Sequence, residues 1–147
     1  MGTLTLPASG LVYVDTQVVI YSVEKHPNYW PLLRPLWAAS RAGEIEVISS
    51  ELALLETLVG PLKNADTGLA ASYEQLFTST EMRLIPITTP ILKDAARLRA
   101  ELNLKTPDSL HAATALAAGC ALFLTNDPGF RRVPGLPLAI LNDVMTA

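Results

Sequence analysis

The sequence predicts an α/β domain built on a mostly parallel sheet covered by helices on both faces. Three observations carry this expectation. Short, continuous apolar runs recur along the chain, the pattern of strands buried on both faces. Stretches with helical spacing separate them, as the crossovers between parallel strands require. The composition, half apolar and 17% charged over 147 residues, suits one domain of ordinary size (roughly 100–200 residues) and excludes a disordered chain. The expectation is a single domain over residues 1–147 with four strands and a possible fifth.

Leu11-Val12-Tyr13-Val14 is the first such run, followed at once by Asp15. Thr16 to Tyr21 can open a helix, which His26-Pro27-Asn28 breaks. Tyr29 to Ala42 carries Leu32, Leu33, Leu36 and Trp37 at helical spacing, with Gly43 placed to end it. Glu46-Val47-Ile48 is the second strand. Ser49-Ser50-Glu51 starts the next helix with a serine cap and a carboxylate in the first turn; Gly60-Pro61 is the expected stop. Asp66 to Phe77 is another helix. Arg83 to Ile87 is the third strand, and its Pro86 predicts a sheet edge or strand end, because proline donates no ladder hydrogen bond. Helices follow from Thr89-Pro90 to about Leu102, and from Thr106-Pro107-Asp108 to Gly119, the latter with threonine as cap and proline at the first helical position. Ala121 to Leu124 is the fourth strand, ending in Thr125-Asn126-Asp127, and Leu138 to Leu141 is the possible fifth.

Cys120 is the single cysteine. It forms no intrachain disulfide and, flanked by alanines and Leu122, is expected to fill apolar space. Met1 to Gly10 shows no signal-peptide pattern, and the longest uncharged apolar stretch, near Ala112–Thr125, is too short for the ~20 residues of a membrane span. A cytoplasmic protein without a membrane partner is therefore expected.

Carboxylates stand out against this architecture. Asp15 and Asp127 follow strands one and four, and ligands of open parallel sheets bind at the carboxyl ends of strands. Glu56 lies in a helix that is apolar around most of its circumference, sharing a face with Leu52 and Val59; an unpaired charge buried there would be expensive. Asp108 is in a helix first turn, with Ala112 and Ala115 leaving room beside it. Taken singly, Asp108 can be a dipole-stabilising residue worth about 0.3–1 kcal/mol, Asp127 a turn residue before Pro128-Gly129, and Glu56 a solvated helix residue. Asp15, a charge at the end of an apolar strand, is hardest to explain structurally.

Five segments together resemble the PIN-domain family, specifically the VapC-like ribonuclease toxins of toxin–antitoxin pairs. They are Val12-Tyr13-Val14-Asp15-Thr16; Val47-Ile48-Ser49-Ser50; Leu55-Glu56-Thr57-Leu58-Val59-Gly60-Pro61; Thr106-Pro107-Asp108-Ser109-Leu110-His111-Ala112-Ala113-Thr114-Ala115; and Leu122-Phe123-Leu124-Thr125-Asn126-Asp127. Each motif alone is weak; their order spans nearly the whole chain. The resemblance implies a three-layer α/β/α sandwich, a cluster of Asp15, Glu56, Asp108 and Asp127 that binds Mg²⁺ or Mn²⁺, and cleavage of single-stranded RNA. It further implies support of the cluster by Thr125, Thr16 or Asn126, a small antitoxin partner and a homodimer. Glu51 is a rival for the glutamate position.

Oxygen ligands suit hard divalent cations, which neutralise phosphate charge and activate an attacking water. Crowded carboxylates repel one another, so some should have raised pKa values without metal. No nucleophilic triad or Walker-type loop competes. A haloacid-dehalogenase-like phosphatase needs a second aspartate two residues after the first, where this chain has Gln17. The alternatives are a PIN-like RNA-binding or regulatory protein, or another metal-dependent phosphoesterase. Arg131 and Arg132 are candidate RNA-backbone contacts, with a solvated loop as the other possibility; Lys105 and Lys63 are weaker candidates. Trp30, Trp37, Tyr21 and Tyr29 are expected to pack helices or a dimer interface, and His111 at most to orient Asp108. The formal net charge of −3 is no obstacle: with four of the 14 acids assigned to one metal site, the remaining 10 nearly balance the 11 basic residues.

Overall fold

The computed structural model describes residues 2–147. Its sheet has five strands: β1 (Leu11–Val14), β2 (Glu46–Ser50), β3 (Met82–Ile85), β4 (Leu122–Thr125) and β5 (Leu138–Ile140). They lie in the order β3-β2-β1-β4-β5, and every pairing is parallel. The fifth strand is therefore real, and the sheet wholly parallel. The helices are α1 (Thr16–Val23), α2 (Trp30–Arg41), α3 (Leu52–Lys63), α4 (Thr67–Thr78), α5 (Thr89–Leu102), α6 (Thr106–Ala118) and α7 (Leu141–Thr146), with a 3-10 turn at Pro128–Arg132.

The strand order reverses direction at β1. From β1 the chain winds outward through β2 to β3, then returns to lay β4 on the other side of β1. The crevice beyond the carboxyl ends of β1 and β4 is thus the topological switch point, the place where such sheets bind ligands. Side chains alternate across the sheet. Val12, Val14, Val47 and Leu124 pack on one face with Val18, Leu33, Leu36, Trp37 and Tyr73 from α1, α2 and α4. Tyr13, Ile48 and Phe123 pack on the other with Ala112 and Ala115 of α6. Each large apolar side chain buried this way contributes roughly 1.5–3 kcal/mol. Alanine on α6 lets that helix lie close to the sheet and, through Ala113, to α5.

Several expected boundaries move. The helix begun at Ser50 does not stop at Gly60-Pro61; α3 continues to Lys63. Pro61 sits in the last turn with its ring buried, and the helix closes on the amides of Asn64 and Asp66, which donate to the carbonyls of Gly60 and Pro61. One lost hydrogen bond near a helix end is tolerated where the ring packs. Glu51, rather than a serine, holds the cap position, but Ser50 Oγ still accepts from the Leu52 amide at 3.1 Å. The α6 cap is Lys105, one residue before the expected Thr106. Pro86 lies just past β3, which is an edge strand, as its proline predicts. Cys120 is half-buried against the α6 side of the core, and burial pushes its thiol pKa up. The 3-10 turn and α7 have no counterpart in the sequence reading.

Candidate active site

A pocket of about 410 Å³ opens at the switch point. Asp15, Glu56, Asp108 and Asp127 all line it, delivered by the ends of β1 and β4, by α3 and by the first turn of α6. The four acids from distant parts of the sequence are thus brought together. Thr16, Gln17, Ile20, Tyr21, Pro107, His111 and Asn126 complete the wall.

Asp15 is 6% exposed and belongs to both its strand and the next helix. Its amide donates to the Leu124 carbonyl at 3.2 Å, extending the ladder between β1 and β4. Its Oδ1 accepts from the Val18 amide at 3.1 Å, capping α1, where the dipole favours a negative charge. Its Oδ2 accepts from the hydroxyl of fully buried Thr125. Thr125 Oγ1 in turn accepts from the Asp127 amide at 3.0 Å, so this threonine clamps two of the four acids in register. Burial raises the Asp15 pKa, and the charge of Asp108 adds to the rise. Asp108 is raised as well, first by burial and then by Asp127. Mutual repulsion among the acids is therefore present as expected.

Glu56 behaves differently. Burial would raise its pKa, but hydrogen bonds from His111 and Thr16 outweigh that and leave it lowered. Thr16 Oγ1 donates to Glu56 Oε1 at 2.6 Å, and His111 Nε2 lies 3.1 Å from the same oxygen. His111 is the residue whose role the sequence misjudged. It is buried on α6 against Tyr13, Thr16 and Glu56 rather than serving as a partner of Asp108. Ser49 Oγ, next to Tyr13, is the buried side-chain oxygen without a hydrogen-bond partner among the described residues.

The supporting candidates divide the work. Thr125 holds Asp15 and Asp127, and Thr16 holds Glu56. Asn126 touches no acid; its Nδ2 donates to Tyr21 Oη at 3.3 Å and its Oδ1 accepts from the Asn142 amide at 2.9 Å, tying β4 to α1 and α7. Tyr21 reaches the pocket wall and stacks on Tyr29, 4.4 Å between centroids. Trp37, by contrast, is a packing residue, its Nε1 donating to Ser22 Oγ at 2.9 Å. Glu51 is not in the pocket; its carboxylate accepts from the Ile87 amide at 3.0 Å and joins the start of α3 to the end of β3. Arg131 is paired with Asp143 at 2.5 Å, and neither Arg131 nor the exposed Arg132 lies in the pocket wall. Lys105, three residues before Asp108, offsets part of the rise in that carboxyl's pKa, after His111, and like the two arginines it is not in the pocket wall. Lys63 lies two turns beyond Glu56, at the far end of α3.

A PIN-domain family model matches residues 12–136. The chain belongs to the PIN-domain family. The matched span runs from β1 past β4 and so contains all four acids. Solved structures agree in fold. The chain resembles VapBC2 from Rickettsia felis, solved bound to a DNA fragment from its promoter, at 23% identity and a TM-score of 0.72, covering 88% of this chain and 98% of that one. It is similar to a toxin–antitoxin complex from Klebsiella pneumoniae at 20% identity and a TM-score of 0.65, covering 85% and 94%. It also resembles VapBC-5, a member of the VapBC family of toxin–antitoxin systems from Mycobacterium tuberculosis, at 24% identity and a TM-score of 0.56, covering 92% and 98%. No curated protein matches the sequence.

PIN domains are typically metal-dependent nucleases. Among the described residues, no three His, Cys, Asp or Glu side chains are drawn close enough to enclose an ion by themselves. The donor set nonetheless fits a hard divalent cation. All four carboxylates offer oxygen alone, they share one solvent-reachable pocket, and Mg²⁺ characteristically takes one or two carboxylates directly while keeping several waters.

Proposed function

We propose that this protein is a metal-dependent endoribonuclease that cleaves single-stranded RNA, and that it is the toxin of a cytoplasmic toxin–antitoxin pair. One observation carries the proposal: four carboxylates from four separate elements converge in one pocket at the switch point of a parallel sheet. Three of them are held in place by buried or half-buried threonines. Burial, and after it the neighbouring carboxylates, push the Asp15 and Asp108 pKa values upward, a pattern common at functional sites.

Asp15, Asp108, Glu56 and Asp127 would hold Mg²⁺ or Mn²⁺, which when bound supplies positive charge against the phosphate oxygens and activates an attacking water. Asp15 and Asp108, raised by burial and repulsion, are the groups whose ionised forms gain most from a cation. Glu56, kept ionised by Thr16 and His111, holds a permanent negative charge across the pocket. Lys105, exposed at the start of α6 three residues before Asp108, is the candidate cation for an RNA phosphate. Tyr21 lines the pocket with its ring stacked on Tyr29 and edge-on to His26, a packed wall residue as expected. Arg131 and Arg132 remain available for backbone contacts outside the pocket.

The proposed partners are an antitoxin polypeptide and a second copy of the chain. The structures of VapBC and toxin–antitoxin complexes with this fold support the first. An apolar stripe on α3 supports the second: Leu55, Val59 and Leu62, spaced to share one face, are 62%, 46% and 69% exposed. Among the described residues no helix is long and apolar enough to cross a membrane.

The test is cleavage of a labelled single-stranded RNA with Mg²⁺ or Mn²⁺. Cleavage should disappear in excess EDTA and in Asp15→Asn and Asp108→Asn. Undiminished cleavage by both variants would overturn the site assignment, and undiminished cleavage in EDTA would overturn the metal role. For the toxin role, expression in a host lacking the neighbouring gene should arrest growth; normal growth would count against it.

A further inference from the structure

His111 has no place in the acid cluster itself, yet it is 3% exposed and every polar atom of its ring is engaged. Its Nδ1 lies 2.7 Å from the hydroxyl of Tyr13, which is fully buried in β1. Its Nε2 lies 3.1 Å from Glu56 Oε1 and 3.0 Å from Thr16 Oγ1. One assignment of protons satisfies all these contacts with a neutral ring. In that assignment the Tyr13 O–H donates to Nδ1 and the remaining ring proton sits on Nε2. That N–H is then shared between Glu56 Oε1 and Thr16 Oγ1, while the Thr16 hydroxyl donates its own proton to Glu56 Oε1 at 2.6 Å. Every donor in the chain points the same way, from the apolar interior toward one carboxylate oxygen. Glu56 Oε1 is thereby occupied twice, and Oε2 is the oxygen left for the pocket. Nothing on α3 itself supplies this restraint. Leu55 before it is exposed, Thr57 after it bonds only its own helix's carbonyls, and a glutamate has three rotatable bonds to fix.

We infer that His111, held in its Nε2–H form by Tyr13, is a positioning residue that orients Glu56 toward the pocket. The inference rests on the proposed nuclease role for Glu56, but its geometry can be tested apart from activity. Outer-shell partners of metal-binding carboxylates commonly change metal affinity or activity by about 10–100-fold when removed.

The first measurement is the nitrogen spectrum of the His111 ring in the metal-free protein at neutral pH, assigned against a His26→Gln variant. A single form with hydrogen on Nε2 is expected in the wild type, and a mixture of both tautomers in Tyr13→Phe. Hydrogen on Nδ1 in the wild type, or an unchanged ring in Tyr13→Phe, would overturn the inference. The second measurement is Mn²⁺ affinity by calorimetry together with RNA cleavage. His111→Leu should lose about 10–100-fold in Mn²⁺ affinity or in cleavage. His111→Gln, whose side-chain amide can still donate toward Glu56, should recover most of that loss, and this variant keeps the test informative if leucine disturbs folding. In a Glu56→Gln background, His111→Leu should add nothing; an equal loss in both backgrounds would make His111 a general packing residue and overturn the inference. If the wild type cleaves no RNA with either metal while the ring shows the Nε2–H form, the nuclease proposal falls and the positioning geometry stands. If the wild type cleaves RNA and His111→Leu retains both its cleavage and its Mn²⁺ affinity, the nuclease proposal stands and this inference falls.

Discussion

Thr125→Val is the most informative single change in the site, because it alters hydrogen bonding and hardly alters shape. The wild-type hydroxyl is fully buried, donates to Asp15 Oδ2 and accepts from the Asp127 amide. Valine removes both roles. Asp15 is itself buried, so its carboxylate loses a charge-assisted bond that water cannot readily replace, a cost of about 1.5–3 kcal/mol. The Asp127 amide is only part-buried, so solvent can take over there at little cost. For a domain of this length, where 1 kcal/mol moves Tm by about 2–4 °C, the metal-free variant should melt roughly 3–12 °C below wild type at neutral pH. Thr125→Ser keeps the hydroxyl and loses one methyl group, about 0.8 kcal/mol plus a small cavity, so it should stay near wild type. In an Asp15→Asn background the valine penalty should shrink, because no buried charge is left unpaired. Urea denaturation of the four proteins measures these differences. Equal stability of Thr125→Val and wild type, or serine as damaging as valine, would refute the view that this hydroxyl stabilises the Asp15 carboxylate.

Three further outcomes are expected. Burial and Asp127 raise the Asp108 pKa, so its contribution to stability is intact below the ordinary aspartate range and is lost as pH rises through its folded value. Melting of the metal-free proteins across pH should therefore shift in favour of Asp108→Asn toward neutral pH, and a difference that stays flat with pH would contradict the shift. Excess Mn²⁺ should raise the wild-type Tm, by the equivalent of about 2.7 kcal/mol when its concentration is a hundred times Kd, and should do much less for Asp15→Asn; a matching rise in both would place the ion elsewhere. Leu55→Glu with Leu62→Glu should convert a dimer to a monomer in light scattering while leaving the fold intact by circular dichroism, and an unchanged mass would move the self-contact away from α3.

How far the sequence carried this structure depended on where each residue's partners lie along the chain. Asp15 and Asp127 were legible because a strand end is a local feature, visible in four or five consecutive residues such as Leu122-Phe123-Leu124-Thr125. Glu56 and Asp108 carry no such mark; each is an ordinary helix acid until the sheet places it, and they entered through the resemblance to a family pattern. His111 was misread because its contacts are remote. Its nearest residue of interest in sequence is Asp108, one turn away, but its partners Tyr13 and Glu56 stand 98 and 55 residues off. No spacing rule reaches across three elements. The same limit explains Gly60-Pro61, whose local breaking tendency gives way where Pro61 is buried in the last turn of α3.

The missed α7 had a chemical consequence beyond its own few residues. With no helix expected at the end of the chain, Arg131 looked like a free cation beside an acid, and so a natural contact for an RNA phosphate. The structure pairs it instead with Asp143 in the first turn of α7. Asn142, one residue earlier, accepts from the Tyr29 hydroxyl at 2.6 Å and donates its amide to Asn126. This short helix therefore ties together the stretch after β4, the start of α2 and the loop carrying Asp127. The exposed Arg131–Asp143 pair contributes little stability by itself, roughly 0–1 kcal/mol. Its effect is to share the guanidinium charge with a carboxylate, whereas the exposed Lys105 has no salt-bridge partner among the described residues and its charge offsets part of the Asp108 pKa rise. Lys105→Ala should accordingly slow cleavage at low RNA concentration more than Arg131→Ala does, and its effect should fade as salt rises. Equal losses in the two variants, independent of salt, would return the arginine to the substrate path and remove the lysine from it.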